Sequence, residues 1–205
     1  MIKIGITGSL ASGKTTASQI LSYGRGPLFS ADQVVKKLYK NKNFKKLLST
    51  KFNIKNDNFI KKNLRKIILG NNKNIEKLEK IIHPQVRIDM KKFTKKNKNR
   101  KMLFYEIPLL IESNLMKYFN IIIFVKAKRN FRLKRFKSKN GDLKLFNLLD
   151  KKQLNDNKKI KFCDYVVVNE KNLKILKIKL LDIISKYEWN FFRHRNNWFI
   201  FRRRS

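Results

Sequence analysis

A chain of 205 residues is long enough for one globular domain with small insertions and too short for several independent enzymes. It carries 51 Lys and Arg against 14 Asp and Glu, a formal net charge of +37, while 42% hydrophobic and 12% aromatic residues exclude a disordered basic tail. Such charge points to an anionic partner, whether nucleic acid, membrane surface or phosphorylated small molecule, without choosing among them. Only 12 of the cations are Arg, and the chain is crowded with Lys, Asn, Ile and Phe, residues with A/T-rich codons, so most of the charge reads as a Lys-biased surface. The single cysteine, Cys163, excludes an intrachain disulfide and a cysteine-based metal cluster. With no secretory pattern and no apolar run of about 18 residues, the expectation is a cytoplasmic protein without membrane insertion.

Residues 2–7 form a β-branched run bounded by Gly8 and read as a buried strand; residues 13–21 follow as a helix. A second strand is expected to end near Asp32, with a helix beginning near Gln33. Residues 33–82 are almost wholly helical in pattern, with polar breaks at 53–58 and 70–74, and His83-Pro84 is expected to start a further helix, with Pro in the first turn and His83 as cap. Later strands are expected at 102–105, 120–125 and 165–168. Residues 127–160 are helical and very basic, interrupted at 138–141. Leu173, Leu176, Leu180 and Ile183 mark a final amphipathic helix. Strands alternating with helices imply an α/β fold, a three-layer parallel sheet with helices on both faces. The domain is expected to span residues 1–186, with its core in 1–32, 101–126 and 161–186. A helical insertion (about 33–100) and a lid (about 127–160) would lie over the sheet's carboxyl edge, where open α/β sheets bind ligands. Residues 187–205, rich in Arg and aromatics, read as a separate tail.

Gly8-Ser9-Leu10-Ala11-Ser12-Gly13-Lys14-Thr15 satisfies the P-loop pattern. That spacing lets successive backbone N–H groups wrap a polyphosphate at the start of a helix whose dipole favours anions. Gly8, Ala11, Ser12, Gly13, Lys14, Thr15 and Thr16 are therefore the candidate nucleotide-binding residues. Lys14 is expected to reach the β- and γ-phosphates and the Thr15 hydroxyl to ligate Mg²⁺. The motif Asn-Lys-x-Asp of a GTPase is absent. Asp32, at a strand end facing the loop, has the chemistry of a base for an attacking hydroxyl, and a helix-capping role is compatible with that.

Further segments resemble one family, the dephospho-CoA kinases, over roughly residues 2–185. Ile4-Gly5-Ile6-Thr7-Gly8 and the loop after it are similar to the family's opening, and Ser30-Ala31-Asp32 to its Asp-Ala-Asp, with Ser30 in place of the first Asp. Ile81-Ile82-His83-Pro84-Gln85-Val86-Arg87, Glu106-Ile107-Pro108-Leu109-Leu110-Ile111-Glu112, Arg132-Leu133-Lys134-Arg135 with downstream Gln153, and Cys163-Asp164-Tyr165-Val166-Val167-Val168-Asn169 each resemble a family segment. The resemblance implies ATP- and Mg²⁺-dependent phosphorylation of the ribose 3′-hydroxyl of dephospho-CoA. It also implies a catalytic set of Asp32, Lys14, Arg132 and Arg135, with the two arginines brought over the phosphates by the lid. Asp32, His83, Arg87, Glu106, Pro108 and Leu109 would hold the acceptor, and Asn169 would border the adenine. Lys139 stands where the lid often has an Arg. No obligatory nucleic-acid partner is implied. Two other readings remain open at this point: another small-molecule P-loop kinase, of nucleoside monophosphate or shikimate type, and an RNA- or membrane-binding protein with a vestigial nucleotide site.

Overall fold

β-branched residues favour the first strand, β1 (Ile2–Gly8), which is buried on both faces from Ile4 to its end, as a central parallel strand should be. In a computed structural model describing residues 1–54, 60–71 and 73–201, with side chains through residue 188, four further strands join it: β2 (Leu28–Ser30), β3 (Met102–Glu106), β4 (Ile121–Lys126) and β5 (Tyr165–Val168). All pair in parallel, in the order β2-β3-β1-β4-β5. The chain runs from β1 outward to β2, back to β3, then across to β4. The order therefore reverses at β1, and the crevice beyond its carboxyl end is where an open sheet binds ligands. The register places Ile6 opposite Glu106 and Gly8 opposite Val125, so the P-loop and the end of β3 share that edge.

Helices α1 (Lys14–Ser22) and α9 (Leu173–Phe201) cover one face, where Ala17, Leu21, Leu176, Leu180 and Ile184 pack on Ile4, Ile6, Phe104 and Ile123. Helices α2 (Ala31–Leu38) and α5 (Lys73–Lys96) cover the other, where Val34 and Met90 meet Leu103, Tyr105 and Ile122. This is the three-layer arrangement expected from the alternation of strands and helices. The first insertion adds α3 (Lys42–Phe52) and α4 (Ile60–Gly70), with a small core of Phe44, Leu48, Phe52, Ile60 and Leu64. The second comprises α6 (Arg129–Lys137), α7 (Leu143–Lys152) and α8 (Asp156–Ile160), with the turn between α6 and α7 where residues 138–141 interrupt the pattern.

Two expectations need correction. No helix starts at His83-Pro84: α5 runs from Lys73 through Pro84 to Lys96. An interior proline costs a hydrogen bond and kinks the helix, but Leu78, Ile82, Val86, Met90 and Phe93 keep helical spacing across it and pack on the two cores. Burial of that stripe outweighs the missing bond, and His83 caps nothing. Second, α2 begins at Ala31 rather than Gln33, so Asp32 lies inside its first turn and Ser30 is the N-cap, without a side-chain cap bond. The backbone of α9 continues helically to Phe201, into the stretch expected as a tail; the side chains from residue 189 and residues 202–205 lie outside the described part. Among the described residues no helix is long and apolar enough to cross a membrane.

Leu180 is fully buried where α9 meets α1 and the sheet. Leu180→Ala is expected to cost about 2–5 kcal/mol through lost burial and a residual cavity, read as a lower urea midpoint with an unchanged m-value.

Candidate active site

The loop between β1 and α1 holds a conformation its sequence permits. Gly8 and Gly13 have φ of 150° and 99°, and a Cβ on Gly13 would stand 2.2 Å from Asn169 Nδ2. Ala11 adopts a left-handed φ of 57°, which an L-residue tolerates at a cost of about 1–2 kcal/mol. The loop's carbonyls are taken up from outside: Lys14 Nζ donates to Ser9 O at 2.8 Å, Arg132 to Leu10 O at 3.3 Å, and both Asn169 (2.8 Å) and Arg135 (3.2 Å) to Ser12 O. The amides of Gly13, Lys14 and Thr15 have no acceptor among the described residues, as befits a helix start. Donors thus face inward, while the Ser12 hydroxyl is buried behind the loop with no partner among the described residues.

That loop forms one wall of a cavity of about 580 Å³ that reaches Asp32 and Glu106 on one side and Asn169, Lys171, Leu173 and Leu176 on the other. Four of the strands contribute at their carboxyl ends: the loop follows β1, Asp32 follows β2, Glu106 closes β3 and Asn169 follows β5. Asp32 also lines a second cavity of about 640 Å³, toward α4 and α7, and a third of about 260 Å³, toward α5. It is the point where the three meet.

The electrostatics at that junction are tight. Burial pulls the Lys14 ammonium down to about 8; Asp32 and Glu106 oppose the shift, while Lys159 and Arg132 reinforce it. Burial pushes the Asp32 carboxyl above the usual range, countered by Lys14 and reinforced by Glu106. Thr15 Oγ1 donates to Glu106 Oε1 at 2.5 Å, so hydroxyl and carboxylate lie together as an all-oxygen pair.

Of the residues singled out in the sequence, Ala11, Gly13, Lys14, Thr15, Thr16, Asp32, Glu106, Pro108, Arg135 and Asn169 line the first cavity. Gly8 and Ser12 shape the loop from behind. His83, Arg87, Pro108 and Leu109 line the third cavity, with the His83 imidazole pushed down by burial and the Arg87 guanidinium donating to Ser113 O at 3.0 Å. Arg132 is not brought over the cavity. Its buried guanidinium pairs with Asp150 on α7, donates to Ala127 O and stands 5.6 Å from the Phe146 ring. The resemblance implied a place over the phosphates for it beside Arg135, and the partner that claims it lies 18 residues away.

Other residues here were not among the candidates. Lys139, on the turn after α6, lines both the first and the second cavity. Gln153 accepts from Leu10 N–H at 3.0 Å, and Asp156 accepts from the Ser9 hydroxyl. Lys159, fully buried, lies 2.7 Å from Glu112 Oε1. Gln153 and Lys139 had a signal, the one its place after the Arg-rich segment and the other its place where the resembling family's lid often has an Arg.

Comparison with known proteins places these features. The profile of the family described as Dephospho-CoA kinase matches residues 2–174. A dephospho-CoA kinase of Fusobacterium nucleatum is 34% identical over 178 residues, 84% of this chain and 92% of that protein. One of Bartonella henselae is 32% identical over 187 residues, 89% and 96% of the two chains. The crystal structure of TT1252 from Thermus thermophilus superposes with a TM-score of 0.73 at 24% identity, covering 90% and 97%. A shikimate kinase from Acinetobacter baumannii does so at 0.51 and 16% identity, covering 93% and 94%; likenesses this distant speak to the fold.

Because Lys14 binds phosphate in its charged form and sits near 8 in the free protein, affinity for a non-hydrolysable ATP analogue is expected to fall as pH rises through about 8. The bound phosphates restore the proton, so binding near about pH 8 takes up protons, read by calorimetry in two buffers of different ionisation enthalpy. Lys14→Gln abolishes that uptake; uptake persisting in the variant would assign it to another group.

Proposed function

The chain belongs to the dephospho-CoA kinase family, and from that premise we propose that it transfers the γ-phosphoryl group of ATP to the ribose 3′-hydroxyl of dephospho-CoA, giving coenzyme A and ADP. The observation that carries the mechanism is the position of Asp32, the meeting point of the loop's cavity with two others. ATP occupies the first, its phosphates against the inward amides, Lys14 and the helix start, and its adenine toward Asn169, Leu173 and Leu176. The acceptor enters from the α4–α5 side.

Phosphoryl transfer needs alignment and charge neutralisation more than covalent help. Asp32, its carboxyl pushed up by burial and drawn back by Lys14, accepts the proton of the 3′-hydroxyl as its oxygen bonds to the γ-phosphorus and the bond to ADP breaks. Lys14 offsets charge on the transferring group. Arg135 keeps one prong on Ser12 O and another on Asn169 O at 2.9 Å, fixing the loop and lining the phosphate cavity together. Arg132 acts at one remove, tying the lid to Leu10 O.

Mg²⁺ belongs to this reading. The Thr15 hydroxyl and Glu106 carboxylate fit an ion that keeps several waters and takes its other ligands from phosphate oxygens. Among the described residues no group of three or more His, Cys, Asp or Glu is placed to hold a metal. When bound, the ion supplies positive charge against the phosphates. The family match favours dephospho-CoA over a shikimate- or nucleoside monophosphate-type acceptor, and the reaction is placed in the cytoplasm.

Incubation with Mg-ATP and dephospho-CoA is expected to give a product heavier by one phosphoryl group. Asp32→Asn is expected to lower kcat by about 10²–10⁴ while nucleotide affinity stays near the wild-type value, and full turnover in that variant would remove Asp32 from the base role.

A further inference from the structure

The second and third cavities share a wall but not a chemistry. The second is cationic: Lys36 and Lys61 line it with Arg65 and Lys139, and Lys61 stands 5.0 Å over the Tyr39 ring. Arg65 is partly neutralised by Asp142, and Lys36 and Lys139 face Asp32, which lines the cavity with Glu106; four cations against these two carboxylates leave the lobe with a positive surplus among the described residues. The third is aliphatic: Ile68, Ile75, Leu78, Ile82, Val86 and Leu149 line it, with Glu79, His83, Arg87 and Ser113 as its polar residues. The two adjoin along Val35, Ile68 and Leu149 and converge on Asp32.

An acceptor whose reacting hydroxyl is at Asp32 must distribute its other parts over these lobes. Dephospho-CoA, the acceptor of the reading above on which this inference rests, has three: an adenine, a doubly charged diphosphate and a long aliphatic amide arm. A diphosphate finds its complement in ammonium groups. A purine wants a stacking ring and hydrogen-bonding edges, and no aromatic residue lines the third cavity. A branched alkyl chain gains from aliphatic burial at about 25 cal/mol per Å², and its amides can pair with groups such as His83 and Ser113.

We propose that the diphosphate lies in the cationic lobe and the aliphatic amide arm in the lobe between α4, α5 and Pro108, which makes Ile82 and Val86 specificity-determining residues for the acceptor. The arm then reads the substrate far from the reacting oxygen, and remote binding of that kind supports positioning at the reacting centre.

The test compares dephospho-CoA with the β-methyl ester of ADP, which keeps the adenosine and the doubly charged diphosphate and lacks the arm. Wild-type protein is expected to favour dephospho-CoA in kcat/KM. Val86→Phe, which fills the lobe, is expected to lower the ratio of the two kcat/KM values at least about tenfold. Ile82→Ser, which makes the lobe polar without filling it, should move the ratio in the same direction, so the test survives if one variant folds poorly. Lys61→Gln should lower kcat/KM for both acceptors and leave their ratio near the wild-type value. Transfer with a ratio unmoved by Val86→Phe and Ile82→Ser would overturn the lobe assignment alone, as would a ratio collapse in Lys61→Gln. No transfer to either acceptor by the wild-type protein would overturn the acceptor reading itself, and the lobe assignment with it.

Discussion

Everything at this site depends on the orientation of one short stretch of backbone. A loop can present its amides to a polyphosphate only if its carbonyls are satisfied elsewhere, because a peptide unit cannot turn one group inward without turning the other out. Here the outward carbonyls are claimed by Lys14, Arg132, Arg135 and Asn169, which come from α1, α6 and the end of β5. The second insertion is thus a structural part of the nucleotide loop, and Gln153 and Asp156 extend the same bracing from its far end.

This bracing explains why two arginines three residues apart serve differently. Arg135 reaches carbonyls and still borders the open cavity, whereas Arg132 is buried against Asp150 and Phe146. A buried guanidinium needs a carboxylate partner, and once paired it has little freedom to follow a substrate. The buried Lys159 beside Glu112 obeys the same rule at the base of the lid, and its charge reaches Lys14 from behind. Positive charge around the phosphate cavity is therefore graded: Arg132 is committed to holding the loop, Lys14 and Arg135 hold it and line the cavity at once, and Lys139 lines the cavity alone. Most of the chain's surplus charge takes no part in either role.

The strands, the loop and the layer order were legible because each rests on local pattern: β-branched runs, a fixed glycine spacing, apolar residues at steps of three and four. Asp32 was legible as a strand-end carboxylate facing the loop, although the helix enclosing it starts two residues earlier than its pattern suggested. What could not be read was decided by partners distant in sequence. Asp150 redirects Arg132, Glu112 accounts for a buried Lys159, and two separate cores hold α5 straight enough to override its proline. The acceptor lobes were illegible for the same reason. Their walls come from α2, α4, α5, α7 and the turn after β3, and no contiguous stretch encodes them.

Pro84 marks a mechanical boundary. Before it, Leu78, Ile81 and Ile82 pack into the insertion's own core; after it, Val86, Met90 and Phe93 pack on the sheet. One helix therefore joins two bodies, and the hydrogen bond that Pro84 cannot donate falls between them. If the insertion rocks against the sheet around a bound molecule, α5 has to transmit the movement, and it bends at least cost at the proline, one residue from His83. The residue that a local reading took for the start of a helix sits at the fulcrum of a lever.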